Sequence, residues 1–282
     1  MKICIIGANG QLGSDLYNEL SCFDTKGLTH ADIEITDEKQ CFDVITKIAP
    51  DYVLNTAAYH NVPYCEKYPD RAALINIEGA RNLAKACNQV NAELIHFSTD
   101  YVFDGKSNTP YLEDDLPNPL NYYAITKLAG EYAVKAYLNK HKIIRVSGIY
   151  GKIPCRAKGG NFVSTMLKLA KTKDELKIVD DEILTPTYTK DIARQIKELL
   201  PIKEYGIFHI SNEGQCSWFE FATEIFKLKN IKIKTIKVPA SEFPSEINRP
   251  HFSVLNNKRL KELNIYNMKP WQKALEEHLK DL

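Results

Sequence analysis

The chain has 282 residues, of which 44% are hydrophobic and 26% charged, which suits one sizeable α/β domain with a second lobe, or two small domains. Lys and Arg number 37 against 36 Asp and Glu, so the formal charge is +1 and no basic excess exists to grip nucleic acid. Seven cysteines are scattered singly at Cys4, Cys22, Cys41, Cys65, Cys87, Cys155 and Cys216. With no CxxC, no HExxH and no Cys/His cluster, they read as reduced core thiols of a cytoplasmic protein without a metal site. The apolar run Ile3 to Ile6 is cut short by Gly7, too early for a signal-peptide core, and no stretch is long enough to span a bilayer.

In chain order, Lys2–Ile6 reads as a first strand and Gln11–Leu20 as a helix with Leu12, Leu16 and Leu20 on one face. A weaker strand lies around Gly27–Thr29. Thr36 is then the expected N-cap of a helix running to about Ile48, with Asp37 and Glu38 in its first turn. Asp51–Asn55 is a buried strand, Arg71–Cys87 a helix and Glu93–Ser98 the next strand. A long loop with Pro110, Pro117 and Pro119 suggests binding rather than mere connection. A helix over about Asn121–Leu138 and a strand over Lys142–Val146 follow. Past Gly151 the pattern is mixed: Gly159 and Gly160 interrupt it, Leu176–Val179 is expected to return to the sheet, and Asp191–Leu200 is amphipathic.

This alternation predicts an α/β fold, a Rossmann-type doubly wound parallel sheet with a smaller, mixed C-terminal substrate lobe. Residues 1–150 would form the dinucleotide-binding domain, with about 176–204 returning to it. Residues 151–175 and 205–282 would form the substrate lobe.

Gly7, Gly10 and Gly13 follow the first strand and open a helix. Such a turn lets backbone approach a pyrophosphate closely, and the helix N-terminus offers unpaired N–H groups and partial positive charge. An acid near the end of the second strand would hold a ribose 2′-hydroxyl, and Asp32 stands near that offset. His30 could instead meet a 2′-phosphate, so NAD and NADP both stay open, with NADPH slightly favoured.

NYYAITK contains a Tyr123–Lys127 pair at i, i+4, which shares one helix face; Tyr122 has only Thr126 at that spacing. A neighbouring ammonium would lower the phenol's pKa from its usual ~10 and fit it to protonate a carbonyl that receives hydride. YxxxK also occurs as an ordinary solvated pair. Its weight comes from Ser98–Thr99–Asp100 upstream, at a strand end where an open parallel sheet lines its ligand crevice.

Taken together, the chain resembles the extended short-chain dehydrogenase/reductases and, within them, the dTDP-4-dehydrorhamnose reductase family. The likeness runs through GANGQLG (Gly7–Gly13), EITD, PDYVLNTAAY, STDYVFDG (Ser98–Gly105), YAITKLAGE, GNFVSTML, TPTYTKDIA, FHISNEGQCSWFEFA and NRPHFSVLNNKRL. The resemblance implies that Gly7, Gly10, Gln11, Leu12 and Gly13 hold the cofactor pyrophosphate, with Glu34 and Ile35 near the adenine and Ala57, Ala58 and Tyr59 along the cofactor. It implies that Thr99 binds the substrate carbonyl, that Tyr123 protonates it, and that Lys127 holds the nicotinamide ribose. Asp100, Tyr101, Val102 and Phe103, with Asn161, Trp218 and Arg249, would contact a nucleotide-sugar.

Departures from the family's pattern fall on the substrate side. Gly148 stands where a tryptophan is usual. Pro63 and Tyr64 replace an acid and a base. EILTPT (Glu182–Thr187) replaces QFGSPT, putting Glu182 for an amide and Leu184 for a glycine. The expected activity is NAD(P)H-dependent reduction of the C4 ketone of a dTDP-4-dehydro-6-deoxysugar, first of all dTDP-4-dehydro-L-rhamnose, by a monomer or homodimer. Two other readings stay open: another nucleotide-sugar reductase or 4-epimerase, and a non-catalytic NADP-binding regulatory subunit like that of methionine adenosyltransferase. Relatives can use magnesium at subunit contacts, but no motif here predicts it.

Overall fold

The computed structural model describes residues 1–155, 159–243 and 245–282. Strand β1 (Lys2–Ile6) leads through the glycine turn into α1 (Gln11–Glu19), followed by β2 (Asp24–Leu28), α2 (Glu38–Ile48) and β3 (Tyr52–Asn55). Two short helices, α3 (Val62–Lys67) and α4 (Pro69–Ala73), run through a π turn at Leu74–Glu78 into α5 (Gly79–Gln89). After β4 (Glu93–Thr99) come α6 (Tyr122–Tyr137) and β5 (His141–Val146). With β10 (Gly206–His209) these strands form one six-stranded sheet in the order β10-β5-β4-β3-β1-β2, parallel throughout. The arrangement is Rossmann-like, as the alternating pattern predicts.

Side-chain alternation along β1 divides the core between the two faces of the sheet. Ile3 and Ile5 pack with Leu12, Leu16 and Leu20 and with Ile192 and Ile196 of α8 (Thr189–Leu199). Cys4 and Ile6 pack on the other face with Cys41 and Ile45 of α2 and with Leu83 and Ala84 of α5. Every residue of β3 and β4 is buried, as strands covered on both sides require.

The smaller, mixed part contains α7 (Phe162–Leu169) and three two-stranded sheets. These pair β6 (Ile149–Tyr150) with β9 (Thr187–Tyr188), β8 (Ile183–Leu184) with β11 (Cys216–Ser217), and β7 (Glu175–Val179) with β12 (Lys234–Val238). Helices α9 (Trp218–Leu228) and α11 (Trp271–Lys280) close its core around Tyr150, Tyr188, Phe221 and Trp271, while α10 (Lys258–Glu262) lies beside β10.

Three local expectations are corrected. The cap of α2 is Asp37, not Thr36: Asp37 Oδ1 accepts from Gln40 N at 3.0 Å, whereas Thr36 N is held by Glu34 Oε1 at 3.0 Å. The helix foreseen over Arg71–Cys87 is interrupted by the π turn, which swings the buried Asn76 inward. Leu176–Val179 does not rejoin the large sheet. In β7 only Leu176 and Ile178 are buried, an alternation that suits a ribbon covered on one face rather than a strand buried on both. The chain returns instead through α8, packed on α1, and through β10.

Candidate active site

A cleft of about 580 Å³ opens where the strand ends of the large sheet meet the smaller part. Its floor is the glycine turn. Gly7 has φ +79°, and a Cβ there would lie 2.7 Å from Thr56 Oγ1. At Gly13 a Cβ would lie 2.2 Å from Gly7 O, so only glycine lets α1 start this close to the turn. Gly10 is the N-cap residue of α1 and provides no side-chain cap, which leaves the helix start to a ligand. Backbone this close, with no Cβ between, fits a dinucleotide pyrophosphate.

At the end of β4, Thr99 Oγ1 donates to Asp100 Oδ1 at 3.0 Å, and Ser147 Oγ donates to Asp100 Oδ2 at 2.8 Å. Burial pushes the Asp100 carboxyl above its usual range, against the pull of these hydroxyls and that of Ser253. Asn121 caps α6, its Oδ1 accepting from Ala124 N at 3.0 Å, so Tyr123 and Lys127 fall in the first two turns and line the same cleft as Thr99. Desolvation raises the Tyr123 phenol, with the Thr99 hydroxyl acting in the opposite sense. Lys127 Nζ donates to Phe97 O at 2.7 Å, and burial lowers its pKa to about 8, opposed by Glu131. The expected depression of the tyrosine by its lysine is therefore not what the fold produces. Tyr123 is held firmly as a phenol and Lys127 is the group poised near neutrality.

Beneath Lys127 lies a buried ionic network. Arg145 Nη2 and Nε donate to Glu131 Oε2 and Oε1 at 2.7 and 3.0 Å, and Ser98 Oγ donates to Glu131 Oε1 at 2.5 Å. A second clamp holds the loop after β3. The Asn76 side chain accepts from Tyr59 N at 2.8 Å and donates to Tyr59 O at 2.9 Å and to Thr126 Oγ1 at 3.0 Å. One amide thus ties that loop to the helix carrying Tyr123 and Lys127.

The opposite wall comes from the smaller part. Trp218 Nε1 donates to Glu182 Oε2 at 3.1 Å, and the indole packs on Phe162 with ring centres 4.5 Å apart. Gly148 has φ +52°, and a Cβ there would lie 2.6 Å from Leu184 Cδ1.

The whole chain, residues 1–282, matches the family described as the RmlD substrate binding domain. A dTDP-4-dehydrorhamnose reductase from Clostridium acetobutylicum is 40% identical and superposes with a TM-score of 0.95, covering 99% of each chain. The Bacillus anthracis dTDP-4-dehydrorhamnose reductase, solved in complex with NADP, is 39% identical with a TM-score of 0.95 and covers 100% of both. The chain belongs to the dTDP-4-dehydrorhamnose reductase family. It is also 39% identical, over 99% of its length and 97% of the relative's, to the spore coat polysaccharide biosynthesis protein SpsK of Bacillus subtilis.

Within this reductase fold, the cleft gathers Gly7, Gly10, Gln11, Leu12, Gly13, Ala57, Ala58, Thr99, Asp100, Tyr101, Tyr123, Lys127, Asn161 and Trp218. Val102 and Phe103 are fully buried outside it, where Phe103 stacks on Tyr111 with ring centres 4.2 Å apart. Ile35 is packed where a Cβ on Gly79 would touch it at 2.6 Å. Tyr59 contributes backbone to the Asn76 clamp, and its ring lies beneath Arg71. Arg249 is exposed beside Pro250, a lining residue, and its charge reaches Tyr101.

Asn161 has committed its amide, capping α7 through Ser164 N and donating to Gly151 O at 2.9 Å and Gln11 Oε1 at 3.2 Å. His30 is 85% exposed and pairs with Glu34 at 3.3 Å, while Asp32 is turned back onto Thr29 N and Oγ1, both at 2.8 Å. Among lining residues not foreseen are Thr56, His60, Cys155 and Ser253. Thr56 and Ser253 sit inside the segments PDYVLNTAAY and NRPHFSVLNNKRL, but no motif marks His60 or Cys155, which only the fold brings to this crevice. Among the described residues, no group of three or more metal-ligating side chains occurs and no helix is long and apolar enough to cross a membrane.

Proposed function

We propose that the protein reduces the C4 ketone of a dTDP-4-dehydro-6-deoxysugar, with dTDP-4-dehydro-L-rhamnose as the first candidate. The observation carrying this reading is the convergence of Thr99, Tyr123 and Lys127 on one cleft whose floor is the glycine turn. When bound there, NADPH or NADH supplies the hydride. Gly7, Gly10 and Gly13, with the start of α1, hold the pyrophosphate; Lys127 holds the nicotinamide ribose. Thr99, whose hydroxyl hydrogen goes to Asp100 Oδ1 in the empty cleft, would turn that hydrogen to the ketone oxygen when the sugar is bound. Tyr123 gives its phenolic proton to the oxygen as it becomes an alkoxide, and a phenol that burial keeps protonated is suited to that donation.

His30, exposed at the end of β2, can meet a 2′-phosphate while Asp32 is occupied with Thr29, which favours NADPH. The sugar nucleotide would lie against Trp218 and Tyr101, with Arg249 at its pyrophosphate. We place the enzyme in the cytoplasm, as a monomer or homodimer.

A related 4-keto sugar is the second reading, and a specific contact favours it. Leu184 occupies the space that a side chain at position 148 would need, so these two departures from the family pattern are one coupled change beside the sugar. The test is oxidation of NADPH and of NADH on addition of a panel of 4-keto nucleotide-sugars. Turnover with dTDP-4-dehydro-L-rhamnose, cut about 10²- to 10⁴-fold in kcat by Tyr123→Phe, is the expected outcome. Full activity in that variant removes Tyr123 from the reaction.

A further inference from the structure

A second reactive pair faces the same cleft. His60, in the loop after β3, places Nδ1 3.1 Å from Ala58 O and Nε2 3.0 Å from Cys155 Sγ. A carbonyl oxygen can only accept, so Nδ1 carries the ring hydrogen. In the neutral imidazole Nε2 then presents its lone pair, and the thiol is the donor to it. Thiol to imidazole nitrogen, with the far nitrogen fixed by a carbonyl, is the arrangement that draws the proton off sulfur and leaves a nucleophilic thiolate.

The other thiols differ. Cys4, Cys41, Cys87 and Cys216 are buried in apolar cores, where desolvation raises their pKa: Cys4 and Cys41 to about 12, and Cys87 and Cys216 still higher. Cys65 is buried and directs its thiol to Tyr59 O at 3.4 Å. Cys22 is exposed at the far end of α1, away from the cleft. Cys155 alone of the seven lines the cleft, and it is partly exposed there.

We propose that Cys155, activated by His60, is a modification site for peroxides and other soft electrophiles, and that its modification blocks the cleft. With hydrogen peroxide the thiolate sulfur attacks one oxygen. The S–O bond forms as the O–O bond breaks, hydroxide leaves, sulfur is oxidised to the sulfenic acid and the peroxide is reduced. The hydroxide takes up the proton held on His60, and water leaves. The added oxygen occupies space beside His60 in the lining of the cleft.

The test uses the whole protein and needs no sugar substrate, so it stands apart from the reductase reading. Iodoacetamide labelling at pH 6, followed by peptide mass mapping, gives the rates at Cys155 and Cys22 in one sample. Cys155 should react roughly five- to tenfold faster, since the His60 imidazole at its sulfur draws off the thiol proton. His60→Ala should remove most of that advantage, and peroxide with dimedone should mark Cys155 in the wild type and not in Cys155→Ser. Equal rates at Cys155 and Cys22 overturn the proposal without any variant. An unchanged Cys155 rate in a folded His60→Ala protein, or dimedone on other cysteines only, overturns it as well.

Discussion

The two walls of the cleft are built on different principles. The sheet side is made of contacts that leave almost no room for change: a helix start that a single methyl group would displace at Gly13, and a lysine seated on a fully buried Glu131–Arg145 pair. The opposite side is made of short paired segments and loops, where Glu182 hydrogen-bonds Trp218 and Leu184 fills the space beside Gly148. On the proposed reading, chemistry is held by the rigid wall and the choice of sugar is left to the variable one. Such a division would let one family keep a reaction while substituting around its substrate.

The largest effect is expected beneath the rigid wall. Glu131→Gln leaves Arg145 buried with its charge uncompensated, a loss of about 3–5 kcal/mol and a fall in Tm of roughly 5–15 °C by calorimetry. An unshifted Tm would mean that the pair is a passenger rather than the support of Lys127. Gly13→Ala comes next. Overpacking against Gly7 O should cost about 1–3 kcal/mol and weaken NADPH binding at least about tenfold by fluorescence titration, with no requirement for sugar.

A smaller effect concerns pH. Lys127, lowered by burial to about 8, loses its proton as pH rises through that value, while Tyr123, raised, stays protonated. The value of kcat/KM for the cofactor should therefore fall above about pH 8, and Lys127→Met should abolish that basic limb. Persistence of the limb in the variant would assign it elsewhere.

The smallest effect belongs to the variable wall. Glu182→Gln keeps an acceptor for Trp218 Nε1 but removes a charge, so KM for the sugar should change less than about tenfold with cofactor affinity untouched. A change in cofactor affinity would show that the two walls are not separable.

Much of the rigid wall was legible in the sequence because local chemistry specifies it. Gly7, Gly10 and Gly13 answer to backbone geometry, Tyr123 and Lys127 to helical spacing, and Thr99 to its place at a strand end. What escaped depends on contacts between distant segments. The Asn76 clamp exists only because a π turn interrupts a helix that periodicity alone would continue, and no pattern shows that Glu131 will find Arg145. Val102 and Phe103 lie beside Thr99 in sequence, yet the short 3₁₀ turn at Asp100–Val102 sends them into the core. The ribbon of Glu175–Val179 and Lys234–Val238 was beyond reach for the same reason, since a short apolar run does not name its partner.

On the proposed reading, hydride passes to C4 of a keto-sugar in a cleft where Tyr123 supplies the proton. Deuterium tracing tests it most directly: NADPH deuterated at the transferable C4 position is incubated with the enzyme and dTDP-4-dehydro-L-rhamnose, and the sugar is read by mass spectrometry and NMR. One deuterium at sugar C4 for each cofactor oxidised is the predicted result. A sugar epimerised without label and without net cofactor oxidation would contradict it.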